Sequence, residues 1–212
     1  MTPTLLRVDI LKRFGRERLD EDIVVNSEKQ GFALKSCGRI PAGIAFDSKP
    51  ISHRFLPVRF VDFGVLHKQL HGSPTTFKRW HQDEASVFCK PSQVEEELSQ
   101  ISLFTAKILR NFKLDVVFQV VNNQYFGKIV EGLKKLDVKY EIDADSSGET
   151  ILKCYTKLDN GEYWSGASVK LDETTPKVMD LSYNEGNAVK TTPILISHSA
   201  IGPFDDFLKL KL

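Results

Sequence analysis

Apolar positions recur along the 212 residues in two rhythms. From Ser92 to about Asn111, Val94, Leu98, Ile101, Ile108 and Leu109 fall at helical spacing, on one stripe that must pack against something. Ser92 with Glu95 has the form of a capping box, in which each side chain answers an orphan backbone N–H at the helix start. Residues 126–136 repeat the helical rhythm, and Leu5, Val8, Leu11 and Leu19 give a weaker one that breaks near Gly15. The other rhythm is that of strands, predicted over 23–25, 32–34, 58–63, about 78–89, 116–121, 139–142, 150–157, 163–171, 178–183 and 194–197. "DNG" at 159–161 signals a hairpin turn, "SCGRIPAG" (36–43) and "DSKP" (47–50) are rich in turn formers, and "HKQLHGSPTT" (67–76) has the composition of a loop. Many strands, joined by short turns, with few helices predict an α+β fold, an antiparallel sheet flanked by helices. No linker interrupts residues 1–212, so a single domain is expected.

Composition narrows the class without naming a function. With 41% hydrophobic and 27% charged residues and a net charge of +1, the chain is an ordinary globular one, not a strongly basic nucleic-acid binder, although a local patch can hide in a neutral total. No apolar run approaches the roughly 20 residues that span a bilayer, so no membrane insertion is expected. Cys37, Cys89 and Cys154 are odd in number and widely spaced, which favours buried thiols in a reducing compartment over a disulfide or a metal site. Arg7, Lys12, Arg13, Arg16 and Arg18 outnumber Asp9 and Glu17 near the N-terminus, but acidic residues there favour an amphipathic helix over a targeting presequence. The expected location is intracellular, with mitochondrial matrix and cytosol both open.

Chemistry is scarce. Neither a dinucleotide fingerprint nor a P-loop occurs, and no Cys or His pair has zinc-ligand spacing. His67 and His71 could share a face only on a helix, which Gly72 and Pro74 oppose; His53, His81 and His198 stand alone. Gln82, Asp83 and Glu84 stand together, yet neighbouring residues of a strand point to opposite faces, so Asp83 and Glu84 form no acid/base pair. Arg79 beside Trp80 could stack and hold phosphate, though an edge tryptophan is the commoner meaning. Asp205 and Asp206 suit a helix start.

Several segments, taken in order, resemble the threonyl-tRNA synthetases. "FLPVRFVDFGVLHKQ" (55–69) is similar to "LPLR…FG..HR.E", and "WHQDEASVFCKPSQVEEE" (80–97) to "F.QDDAHIFC.P.Q...E". "VKLDETTPKVMDLSY" (169–183) resembles "VQLDF..P....L.Y", and "PILISHSAIGPFDDF" (193–207) resembles "P..IHRAILGS.ER". The resemblance implies the catalytic fold of class II aminoacyl-tRNA synthetases, an antiparallel sheet flanked by helices that binds ATP bent over it. It also implies where the family's chemistry would fall. The arginine that grips the α-phosphate falls at Lys68, which keeps the charge but not the planar fork. The acidic residue two further on falls at Leu70, and the late-helix arginine that grips the γ-phosphate falls at Asp206. The zinc-binding cysteine falls near Arg39 and the two histidines at Ser86 and Ser197, with Cys37 and His198 close by; a glutamine beside the substrate becomes Lys170. Gln82 and Glu84 persist at substrate-facing positions, and Trp80 stands where a ring would stack on adenine.

The resemblance therefore implies a pocket shell of Lys68, Trp80, Gln82, Glu84 and Lys170 without a catalytic residue, a metal or a cofactor. The family's editing, accessory and anticodon-binding domains are expected to be absent. Class II domains pair through the sheet edge and first motif helix, so that surface and the helix from Ser92 are expected to dock protein subunits of a larger assembly, or a second copy. Organellar translation machinery such as a mitochondrial ribosome is the expected setting. RNA contact, if any, is expected at Lys78, Arg79, Lys90, Lys134 and Lys135. The alternatives are a trimmed ATP-dependent ligase using Lys68, Gln82 and Glu84, and a regulator that binds a nucleotide or other small molecule in the pocket.

Overall fold

The computed structural model describes residues 2–13, 24–26, 31–69, 77–144, 148–157, 161, 163–186 and 189–210. Strand β1 (Leu5–Arg7), helix α1 (Val8–Arg13) and strands β2 (Val24–Asn26) and β3 (Gly31–Leu34) come first; the strands form a small sheet in the order β1-β3-β2. Helix α2 (Arg39–Asp47) leads to the long strands β4 (Val58–Gln69) and β5 (Phe77–Cys89), then helix α3 (Val94–Asn111). β6 (Val117–Val121), α4 (Phe126–Lys135), β7 (Tyr140–Asp143), β8 (Thr150–Lys157) and β9 (Tyr163–Asp172) follow. The chain continues through α5 (Thr174–Val178), the paired β10 (Tyr183–Gly186) and β11 (Val189–Thr191), β12 (Ile194–Ser199) and α6 (Phe204–Leu208).

Seven strands make the central sheet, in the order β4-β5-β12-β9-β8-β6-β7. Neighbours are antiparallel throughout except β6 and β7, which run parallel because α4 carries the chain back between them. The expected antiparallel sheet thus ends in one parallel pair. Side chains alternate across it and build a core on each face. On the back, Val94, Leu98, Ile101 and Leu109 of α3 and Ile129 and Leu133 of α4 bury against Val87, Phe118, Leu152 and Ile196. On the front, Phe46 of α2 stacks on Phe88 with ring centroids 4.5 Å apart, beside Leu181, Tyr183 and Leu195.

Several local expectations give way to tertiary context. No Ser92–Glu95 box caps α3; a 3-10 turn, Pro91–Gln93, leads into it, and in that turn Gln93 Oε1 accepts from the Lys90 amide at 3.0 Å while Nε2 donates to the Leu56 carbonyl at 3.0 Å. Glu95, Glu96 and Glu97 then favour the positive end of the helix dipole. "SCGRIPAG" is not all turn, because α2 begins at Arg39 and places Pro41 in its first turn, where no amide is needed for an intrahelical bond. The strand expected over 178–183 begins only at Tyr183; Asp172 accepts the amides of Thr174 and Thr175 at 3.0 and 2.8 Å and starts α5, which runs to Val178, instead. His67–Gln69 belong to β4, held by pairing of His67 with Arg79 and Gln69 with Phe77. Residues 70–76, including His71, lie outside the described residues. Leu5 sits on a strand and the helix begins only at Val8, while Gly15 and Leu19 lie outside the described residues. Of the turn at 159–161 only Gly161 is described, at φ +85°.

Candidate functional site

Strand alternation and the first residue of α2 build a polar cavity of about 270 Å³ on the front of the sheet. Lys68 of β4, Trp80, Gln82 and Glu84 of β5, Lys170 of β9 and Ser197 of β12 line it, with Arg39 from α2. All five residues of the expected pocket shell therefore meet at one place. Ser86 lies buried directly beside Ser197, its cross-strand partner on β12, and Lys170 flanks Ser197 on the other side. Of the three positions that the resemblance gives to metal ligands, Arg39 and Ser197 thus line the cavity and Ser86 lies next to Ser197. A guanidinium and two hydroxyls are not the thiolate and imidazole set that zinc takes, so these residues do not fit that ion. Among the described residues no group of three or more His, Cys, Asp or Glu could hold a metal ion. Asp206, by contrast, is outside the lining, on α6, with Lys78 at 3.6 Å and Lys209 at 3.2 Å.

Groups lining the cavity bond to their neighbours. Arg39 donates to Asp172 at 2.6 Å and to Glu149 at 3.0 Å. Asp172 is 0% exposed. Burial pushes its carboxyl upward, but the bonds from Thr175 and the charge of Arg39 outweigh this and hold it below the usual range. Trp80 Nε1 donates to Gln82 Oε1 at 2.8 Å, and Lys78 Nζ lies 5.7 Å from the centre of the Trp80 ring. Burial raises the Glu84 carboxyl above its ordinary value, with the Gly38 amide and the charge of Lys35 pulling the other way. Sequence reasoning did not find Asp172 or Glu149, although the "KLD" of the matched segment already set Asp172 two residues from Lys170.

Asp83 turns to the other face, as strand alternation demands, and has a structural task. Its carboxylate accepts from Ser199 Oγ and the Gly202 amide, both at 2.8 Å, and from the Ala200 and Ile201 amides. It so fixes the turn from β12 into α6, where Gly202 has φ +82° and its Cα side lies against Gly166: a Cβ there would come within 2.6 Å of the Gly166 carbonyl oxygen. His198 stands beside this turn with Nδ1 buried and unbonded, and burial lowers its pKa against the pull of Asp83.

A second cavity, of about 440 Å³ and mostly apolar, opens on the back between β4 and α3. Val61, Phe63, Ala85, Val87, Ile101 and Phe104 line it, and the Arg59–Glu97 ion pair, at 2.6 Å, stands at one end. Val61, Phe63 and Phe104 remain 65%, 57% and 52% exposed, so this apolar surface is open to water. Lys78 and Lys90 stand at opposite ends of β5, and Lys134 and Lys135 close α4 on the back. Cys89 and Cys154 are buried, and burial pushes both thiols up to about 12; Cys37 is half-buried at the front cavity.

No protein-family profile matches the chain. Individual relatives do. The threonine–tRNA ligase of Helicobacter hepaticus is 25% identical over 232 residues, covering 98% of this chain and 38% of that protein. The threonine–tRNA ligase of Nautilia profundicola is 27% identical over 184 residues, 78% of this chain and 30% of that protein. Among solved structures, the RNA binding domain of threonyl-tRNA synthetase from Cryptosporidium parvum superposes with a TM-score of 0.75 at 21% identity, over 99% of this chain and 57% of that one. The chain is a threonyl-tRNA-synthetase-like domain with the class II fold. Giardia lamblia prolyl-tRNA synthetase, solved in complex with prolyl-adenylate, shares that fold at a TM-score of 0.66 and 14% identity, over 100% of this chain and 41% of that one. The synthetase-like domain spans less than two-fifths of the length of the ligases that it matches. Among its described residues no helix is long and apolar enough to cross a membrane.

Proposed function

We propose that this synthetase-like domain is non-catalytic and serves as an interaction subunit of a larger protein assembly. One observation carries the proposal: Arg39, Trp80 and Gln82, three of the groups that line the front cavity, are already bonded within the protein. Arg39 is taken by Asp172 and Glu149, Trp80 by Gln82 and Lys78. Asp206, where the family has a phosphate-gripping arginine, lies outside the lining and supplies no cation to it. Displacing an internal ion pair to seat a triphosphate sacrifices charge-assisted bonds of about 1.5–3 kcal/mol each before any binding is gained. The exposed apolar back face supports the interaction half of the proposal, since contiguous apolar patches mark docking surfaces. Translation machinery in an organelle, such as a mitochondrial ribosome, is the assembly we propose, with the mitochondrial matrix and the cytosol both open as its location.

Calorimetric titration with ATP and magnesium, paired with threonine-dependent pyrophosphate exchange, tests the non-catalytic half. We expect neither micromolar binding nor exchange. Exchange above background would establish the trimmed-ligase alternative and end this proposal. Purification of the tagged chain from its native source, followed by mass spectrometry, tests the other half: recovery of only this chain at monomer mass would refute it.

A further inference from the structure

Cross-strand register lays out the floor of the back cavity. Val61 of β4 pairs with Ala85 of β5, and Ala85 with His198 of β12, so the three stand side by side in one row. Strand alternation turns their side chains to the back, as it does for Val169, the core residue on the other side of His198. Ala85 is the smallest member of the row and leaves depth between its neighbours. Ile101 and Phe104 of α3 form one wall, and beside α6 Phe63 meets Phe204 with ring centroids 6.1 Å apart. The resulting slot, about 440 Å³ and mostly apolar, has the size of small-molecule sites, which combine apolar walls with a few placed polar groups.

Nearly every polar side chain in the lining is already bonded. Arg59 and Glu97 bond each other, Gln100 bonds Glu96, Asp83 holds the turn after β12, and Glu84 takes the Gly38 amide. His198 differs: among the described residues it makes no hydrogen bond, and its Nδ1 is buried. A buried ring nitrogen without a partner is costly, and such a group in a native fold calls for a cause. Burial holds the pKa of His198 below its ordinary value, so at neutral pH the ring is uncharged, with one N–H and one lone pair to offer. We propose that the slot binds a small planar aromatic alcohol, its ring lying on Ala85 between Val61 and Phe104 and its hydroxyl bonded to His198. A hydroxyl both donates and accepts, so it suits either tautomer of the imidazole. An aromatic body suits the exposed rings of Phe63 and Phe104, since aromatic pairs gain more than the area they cover. A charged ligand finds no partner, because Arg59 is matched by Glu97 and Asp83 by its four donors. Such a site goes beyond the interaction-subunit reading and is independent of it.

The probes are 2-naphthol and naphthalene, which share a two-ring body and differ in the hydroxyl. Titrated into the whole chain and followed by NMR, 2-naphthol should bind about tenfold more tightly than naphthalene. It should also move the imidazole nitrogen signals of His198 in the sense of a new hydrogen bond. His198→Leu should bring the two affinities together, and Phe104→Glu or Val61→Lys should abolish both at unchanged melting temperature. Should His198→Leu fail to fold, the imidazole signals of the unaltered chain decide. Equal affinity for the two probes, a preference that survives His198→Leu, or imidazole signals that stay in place would each overturn the proposal. So would the absence of binding at the solubility limit of 2-naphthol, or binding that moves the Trp80 indole at the front cavity instead. Self-association or partner recovery that Phe104→Glu abolishes would give the slot to a macromolecule and overturn it as well.

Discussion

On the front of the sheet, polar side chains face one another across a small cavity; on the back, apolar side chains face water. Arg39, Asp172, Trp80 and Gln82 have partners within 2.8 Å, while Val61, Phe63 and Phe104 keep more than half their surface exposed. A ligand-binding face ordinarily has the opposite economy, with polar groups held ready and apolar ones covered. The difference teaches which face is free to do something. A buried carboxylate with donors and a counter-charge is at rest, since burying a charge is tolerable only when it is paired. Exposed aromatic surface is not at rest, and each such side chain gains about 1.5–3 kcal/mol when fully covered.

The seam between the faces should break first. Asp83→Ala removes the acceptor of three backbone amides and the Ser199 hydroxyl, and we expect a loss of about 3–5 kcal/mol in chemical denaturation. A loss under about 1 kcal/mol would mean that water replaces the carboxylate and that the turn is not built on it.

Arg39→Ala attacks the front cavity itself. It leaves Asp172 buried with its amide donors but no counter-charge, and partial exposure of the arginine limits the expected loss to about 1–3 kcal/mol. The Asp172 carboxyl is held low in the folded protein, so the stabilisation is present above the unfolded carboxylate value and disappears as pH falls through the folded one. Wild type and variant should differ at neutral pH, begin to approach each other near pH 4 and converge only below the lowered Asp172 value. A gap that persists in acid would show that packing, not charge, is what Arg39 supplies.

Glu84→Gln tests the same cavity with the sign reversed. The folded protein favours the protonated acid, so its contribution is fullest below the unfolded value and is lost as pH rises through the raised one. The glutamine variant escapes that loss, and melts at neutral pH should show it more stable by up to about 1 kcal/mol, with the advantage vanishing below about pH 4. A destabilised variant would mean that the charge of Glu84 is wanted, as a ligand-binding site would want it.

Phe104→Ala, on the back, should change stability by no more than about 0.5 kcal/mol, although Leu98→Ala earlier on α3 should cost about 2–5 kcal/mol. Similar losses for both would show that Phe104 belongs to the core, and the contrast between the faces would collapse.

Much of this was legible in the chain. The strands over 150–157 and 163–171 and the helix stripe of Val94, Leu98, Ile101 and Leu109 follow from periodicity, because alternation and 3.6-residue spacing record which side is buried. The family likeness, read from the segment around Gln82, agrees with the relatives and with the fold. The helix from Arg39 was not legible, since Gly38, Pro41 and Gly43 are breakers by local preference and only the front-side core around Phe46 decides otherwise. Nor was the extent of β4, where pairing to β5 overrides a loop-like composition.

By itself the sequence determined the class of fold, the faces of its main elements and the residue types at the cavity, because each is a property of spacing or of identity. Only the tertiary structure decided who is paired with whom. Arg39 and Asp172 stand 133 residues apart in the chain, and Asp83 and Gly202 119. Whether a charge is spent internally or left for a ligand depends on such contacts. Local preference acts over a few residues, whereas pairing and coverage are set by the packing of distant segments.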